Sequence, residues 1–212
     1  MKLKNELPII AIVALPFIYL AYIWQALPDQ VPLHWNIKGE IDRFGDKMEL
    51  ILIPLLLPLL IYLIFLLVPV IDPKNKIAKM GNKYGQLKLL LTTFMSILAL
   101  FILYSVKHRS LANPNYLLLI LGILYVIFGN YFKTIKPNYF IGIRTPWTLE
   151  NEVVWHETHK LAGKLWFVGG IVVVISSLIL HKQANFIFFI AVTAVITLIP
   201  VIYSYIKFKN MQ

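Results

Sequence analysis

Six apolar runs, at residues 7–27, 50–71, 89–106, 116–132, 161–180 and 184–206, alternate with polar connections along the chain. A helix needs about 20 apolar residues to cross a hydrocarbon layer roughly 30 Å thick, and each run approaches or exceeds that length. The runs are continuous rather than alternating in polarity. Inside lipid every backbone polar group must find its partner within the protein, which a helix achieves alone and an open strand does not. The pattern predicts an all-α membrane protein, a bundle of six transmembrane helices forming a single domain over 1–212. The fourth run is short and the fifth holds Gly163 and Lys164 near its start, so these two have the least distinct ends. Pro16, Pro54, Pro58 and Pro200 fall within runs, where each withholds a backbone donor and bends its helix. Such bends serve packing or, alternatively, shape a gate or cleft.

Composition supports lipid as the solvent. Of 212 residues, 59% are hydrophobic and 14% charged, against roughly a quarter charged in ordinary soluble domains; mean hydropathy is +0.74. The absence of cysteine excludes disulfides, thiolate metal sites and cysteine nucleophiles. The net charge of +10 is spread between the apolar runs instead of forming a stripe or tail, which points to membrane orientation rather than to direct binding of nucleic acid. Fourteen of the twenty Lys and Arg residues fall in the N-terminus, the second and fourth connections and the tail; the other six are Lys38, Arg43, Lys47, Lys107, Arg109 and Lys182. The larger group belongs in the cytoplasm, which places both termini there, residues 28–49 outside and residues 133–160 inside. The first run exceeds a signal-peptide core of about 7–15 residues and lacks a small-x-small cleavage site, so it is expected to be a membrane helix.

No Asp, Glu, Lys, Arg or His occupies the centre of any run. Ion-coupled transporters place such residues at mid-membrane, so their absence argues against a coupled pump. A passive path lined by Ser96, Ser176, Ser177 or Thr193 remains open as an alternative.

Residues 28–49 contain a turn signal, Asn36 to Gly39, between Val31, Leu33 and Trp35 on one side and Ile41 and Phe44 on the other. This predicts a small hairpin. Asp29, Glu40, Asp42, Asp46 and Glu49 surround it, half of the ten acidic residues. The arrangement suits either an outward site for a cationic or amphipathic peptide, in which Asp29, His34, Trp35, Asn36, Glu40 and Asp42 take part, or a hairpin that only caps the bundle. His34 has no His or Cys close in sequence, which favours a hydrogen-bonding role over a metal one.

Residues 133–160 have helix-start signals at Thr145-Pro146 and at Thr148. Trp155, His159, Ala162 and Trp166 recur at helical spacing, which predicts an interfacial cytoplasmic helix leading into the fifth span. Glu152, His156 and His159 can share one helix face. They are the metal candidates, for a metal-dependent membrane hydrolase acting on peptide or lipid. The string His156-Glu157-Thr158-His159 lacks the His spacing of the HExxH metalloproteases, so a binding protein without a cofactor is the favoured alternative. Arg144, between Gly142 and Pro146, offers its guanidinium to a carboxylate or phosphate, or anchors the loop.

These loops carry a resemblance. Leu27-Pro28 to Gly39, with His34-Trp35-Asn36, resembles the small N-terminal domain of uncharacterised function in the SdpI family of bacterial membrane immunity and signal-transduction proteins (SdpI/YfhL-like). Asn138-Tyr139-Phe140-Ile141-Gly142-Ile143-Arg144-Thr145-Pro146-Trp147-Thr148, with Trp155, Thr158, His159 and Gly163, resembles that family's C-terminal signature. The resemblance implies a multi-pass protein of the bacterial cytoplasmic membrane that protects a Gram-positive cell against a secreted, membrane-damaging toxin peptide. In the best-known system of the family, the toxin-engaged protein also holds a cytoplasmic repressor at the membrane. The residues expected to meet partners at the inner face are Arg144, Trp147, Trp155 and His159.

Overall fold

Each of the six apolar runs becomes a helix in the computed structural model, which describes residues 3–111 and 113–211. The six, each long and apolar enough to cross a membrane, are α1 (Leu3–Ile23), α2 (Lys47–Ile71), α3 (Asn82–Lys107), α4 (Asn115–Phe132), α6 (Glu152–Ile179) and α7 (Lys182–Lys209). A short α5 (Pro146–Glu150) precedes α6, and β1 (Gln30–Trp35) pairs antiparallel with β2 (Ile41–Asp46). The expected six-helix count and the hairpin are both present among the described residues. At 28 residues α6 is a single unbroken helix, so the interfacial helix expected within 133–160 is divided between the short α5 and the first turns of the long helix. At 1.5 Å per residue its length of about 42 Å exceeds the hydrocarbon thickness.

The helices gather into two units, Met1–Ile71 with Asn82–Pro114, and Asp72–Gly81 with Asn115–Gln212. In the first unit α1 packs along α3, and α2 changes winding along its length. It opens with a 3-10 stretch, Lys47–Ile51, capped by Asp46, whose carboxylate accepts from Met48 N (2.7 Å) while Glu49 accepts from Asp46 N (3.2 Å). It then widens into a π turn at Leu55–Leu59, where Pro54 and Pro58 withhold two donors. Leu20, Ile23, Leu27, Val31, Leu50, Leu103 and Val106 form one core cluster of this unit.

The first unit also buries charge that the apolar runs did not reveal. Lys88, which falls outside the third run, lies inside α3, and its Nζ meets Glu6 Oε1 at 2.5 Å; Tyr62 Oη donates to the other Glu6 oxygen at 3.1 Å. Both charged residues are about 5% exposed. Burial without this mutual pairing would cost several kcal/mol.

In the second unit α4 and α6 meet backbone to backbone. A Cβ on Gly129 would strike the Phe167 backbone, and one on Gly163 would stand 2.9 Å from the Gly129 carbonyl oxygen. Small residues at such positions let lipid-embedded helices gain van der Waals contact that side chains would block. At the far end of this unit Asn185 links Ser176 Oγ (2.8 Å), Asn115 Oδ1 (3.1 Å) and Ser177 Oγ (3.2 Å), while Asn115 donates to Leu180 O (2.9 Å). Ser176 and Ser177, candidates for lining a passive path, are thus joined in a buried network. Thr193 pairs with Tyr125 Oη at 3.0 Å, and Ser96 donates to Ile12 O at 3.0 Å.

Candidate functional site

The hairpin of the first unit is held to the helix ends by apolar contact. Val31 is fully buried, and Leu33 and Trp35 pack against the same core cluster as Leu20, Ile23 and Leu50. Trp35, expected among partner-facing residues, therefore sits partly beneath the hairpin. The polar groups lie on the outside. Asn36 Oδ1 accepts from the backbone of Lys38 (2.9 Å) and Glu40 (3.1 Å), and its amide donates to Glu40 Oε2 (2.9 Å), which builds the turn read from the sequence.

All five acidic side chains of this region are exposed, but they are not bare. His34 Nδ1 meets Asp42 Oδ1 at 2.5 Å, and Lys47 Nζ meets Asp29 Oδ1 at 2.9 Å. Glu40 holds Asn36, and Glu49 caps α2. His34 thus has a carboxylate partner. The hairpin thus presents exposed acids paired internally with His34, Lys47, Asn36 and backbone N–H groups.

The inner loop of the second unit is built differently. Asn138, 1% exposed, accepts from Phe140 N (2.8 Å) and Ile141 N (2.7 Å) and donates to Lys136 O (2.9 Å) and Ile141 O (3.1 Å). Its side chain therefore fixes the Pro137–Gly142 turn. Gly142 follows at φ 105°, a conformation that disfavours a side chain, and a Cβ there would collide with the His159 ring. Ile143 N then donates to His159 Nε2 (3.0 Å), while His159 Nδ1 donates to Trp155 O (2.8 Å). With one ring nitrogen accepting and the other donating, both are committed and the imidazole is held as one neutral tautomer.

Trp155, fully buried, stacks on His159 with centroids 4.1 Å apart and donates its indole N–H to Ile135 O (2.8 Å). Thr145 caps α5, reciprocated by Thr148, whose hydroxyl also donates to Ile143 O (2.9 Å). Asn151 caps α6 through Val153 N and Val154 N. Trp147 rests against Tyr205 with centroids 5.0 Å apart, and Thr145 Oγ1 pairs with Ser204 Oγ at 3.1 Å, so the loop is fastened to α7.

Trp155, His159 and Ala162 are therefore the buried face of α6, not a headgroup-facing stripe as their spacing suggested. The loop folds over them. Glu152 and His156 are exposed while His159 is buried and saturated, so the three do not come together; among the described residues no group of three His, Cys, Asp or Glu is placed to hold a metal ion. Among the residues the loop exposes, with Lys136, Pro146, Leu149 and Glu150, is Arg144, whose guanidinium donates to Tyr139 O (2.5 Å), with Tyr139 itself partly exposed. Lys74 and Lys76 stand 5.6 and 4.8 Å from the Tyr139 ring centroid. A hydrogen bond from Lys74 and the charge of both lysines hold the Tyr139 phenol below its ordinary pKa. Asp72 shapes that lysine segment by accepting from Ile77 N (2.7 Å).

Asn138, Thr148 and Asp72 were not singled out as site residues from sequence. An Asn or Asp followed at two to five residues by backbone donors was the available signal. The Glu6–Lys88 pair, 82 residues apart, left no local trace.

Six membrane-capable helices, a small β hairpin and a folded loop locked onto a helix define the class: a multi-pass helical membrane protein. Residues 134–204 match the model of the SdpI/YfhL protein family, and residues 11–57 match a domain of unknown function, DUF1648. The chain is 27% identical over 210 residues to the protein named Immunity protein SdpI of Bacillus subtilis (strain 168), covering 99% of each. Both comparisons thus place the chain's likeness with the SdpI/YfhL family, by the family model over residues 134–204 and by the relative along the whole length. No solved structure matches it.

Proposed function

We propose that this chain is an immunity protein of the bacterial cytoplasmic membrane, protecting its cell against a secreted, membrane-active toxin peptide. The observation that carries this is the end-to-end likeness to a protein named for immunity, with hairpin and inner loop both inside the matched length. The excess of Lys and Arg in alternate connections supports cytoplasmic termini, with the hairpin outside and the 133–160 connection inside.

On that orientation Asp29, Glu40 and Asp42, with His34, Trp35 and Asn36, form the toxin-facing group. Arg144 and Trp147 form the inner contact surface, which is suited to a cytoplasmic repressor. Trp155 and His159 act there as positioning residues, since their side chains are consumed in holding the loop.

The test is survival of a toxin-sensitive Bacillus-type strain lacking its own immunity protein, expressing this chain and challenged with the secreted toxin peptide. Survival well above the empty-vector control is expected, with a loss in the Asp29→Ala, Glu40→Ala, Asp42→Ala triple variant. Killing at the control rate, with the protein confirmed in the membrane, would overturn the proposal.

A further inference from the structure

The second unit holds a groove of about 580 Å³ between α4 and α6, with an overwhelmingly apolar lining. Its floor is the close backbone contact of Gly129 with Phe167 and of Gly163 with Gly129, where any side chain would collide with the facing helix. Lys133, in the turn directly after α4, and Lys160 and Lys164 on α6 line one end, and all three are exposed. Phe167 and Val168 line the other end, also exposed. From Lys160 to Val168 the helix rises about 12 Å, so the groove runs from cationic to apolar along the direction a phospholipid takes from phosphate to acyl chain.

The lysines lack internal neutralisation. Among the described residues neither Lys133 nor Lys164 has an ion pair, and Lys160 has only an exposed contact to Glu157 at 4.0 Å. On α6 the positions Lys160, Gly163, Lys164, Phe167 and Val168 recur three and four apart and form one continuous stripe, facing Gly129 on α4 and Lys133 in the turn that follows it. Three cations around a single mouth favour a compact anion, and the apolar groove behind them favours one that carries an acyl tail.

We propose that this groove is a specific site for an anionic diacyl glycerophospholipid, with its phosphate on Lys133, Lys160 and Lys164 and an acyl chain against Gly129, Gly163 and Val168. Juxtamembrane lysines attract anionic headgroups strongly enough for each to change affinity severalfold. The bound lipid would cover the exposed side of the α4 and α6 contact.

Native mass spectrometry of the full chain in detergent tests this, with phosphatidylglycerol, phosphatidylcholine and glycerol 1-phosphate as probes. A single phosphatidylglycerol adduct is expected, about tenfold favoured over phosphatidylcholine and weakened about a hundredfold in a Lys133→Gln, Lys160→Gln, Lys164→Gln variant. The Lys207→Gln, Lys209→Gln variant, which removes charge from the end of α7, should bind as wild type. Val168→Trp, at an exposed position, should block the groove and reduce the adduct while thermal unfolding stays unchanged. Equal binding of the two lipids, or wild-type binding by the triple lysine variant, would overturn the site. So would displacement of the lipid by equimolar glycerol 1-phosphate, which would show a free-phosphate site, or a lipid-free dimer, which would show that a second copy covers the face.

Discussion

The hairpin and the inner loop each hold a folded turn organised by an asparagine, yet the two place their polar groups in opposite environments. In the hairpin, Asn36, His34, Asp42 and Glu40 bond to one another at the surface, and the apolar residues beneath supply the anchor. In the inner loop, Asn138, Thr148, Trp155 and His159 are all buried, and polar contacts are themselves the anchor. Exposed pairs exchange with water at little cost, whereas a buried donor or acceptor left alone costs its full desolvation. One region is therefore free to trade its internal partners for a ligand. The other is a rigid mount that presents Arg144 and, in part, Tyr139.

The largest effect that would sharpen this contrast is expected from Trp155→Ala. It removes a fully buried ring, its stack on His159 and the bond to Ile135 O, and should lower stability by about 3–5 kcal/mol, read from unfolding in mixed micelles. A loss below about 1 kcal/mol would show that the loop is not a mount.

Asn138→Ala leaves Phe140 N, Ile141 N and two carbonyls without that partner, so about 1–3 kcal/mol is expected, together with faster tryptic cleavage of the loop after Arg144. Unchanged proteolysis would break the assignment of the turn to that side chain.

The smallest effect belongs to the hairpin. A double-mutant cycle on His34→Ala and Asp42→Ala should give a coupling of less than about 1 kcal/mol that declines with added salt, because the side chains are 62% and 42% exposed. A salt-insensitive coupling well above that value would place the pair with the buried bonds of the inner loop and erase the difference between the regions.

The single asparagines show why the two regions were unequally legible. Asn36 stood before a glycine between two alternating apolar stretches, a local signal sufficient for the turn and the hairpin, and the pairing of β1 with β2 agrees. Asn138 had its signal too, but its importance comes from burial under a loop folded back on a helix, which nothing local specifies. Trp155 and His159 at helical spacing fit an interfacial stripe as well as a buried one, since periodicity gives a shared face and not what covers it. The same limit applied to Glu152, His156 and His159, whose shared face is divided between solvent and core.

By itself the sequence determined six helices, the hairpin, the cap at Thr145 and an irregularity in α2 at Pro54 and Pro58, because each depends on hydrophobic length or on groups acting on backbone a few residues away. Tertiary structure alone decided the Glu6–Lys88 pair, the Gly129–Gly163 contact with its lysine-rimmed groove, and the saturation of His159. Those features join residues 16 to 82 positions apart, and their energies rest on burial and close approach, which exist only once the helices have packed.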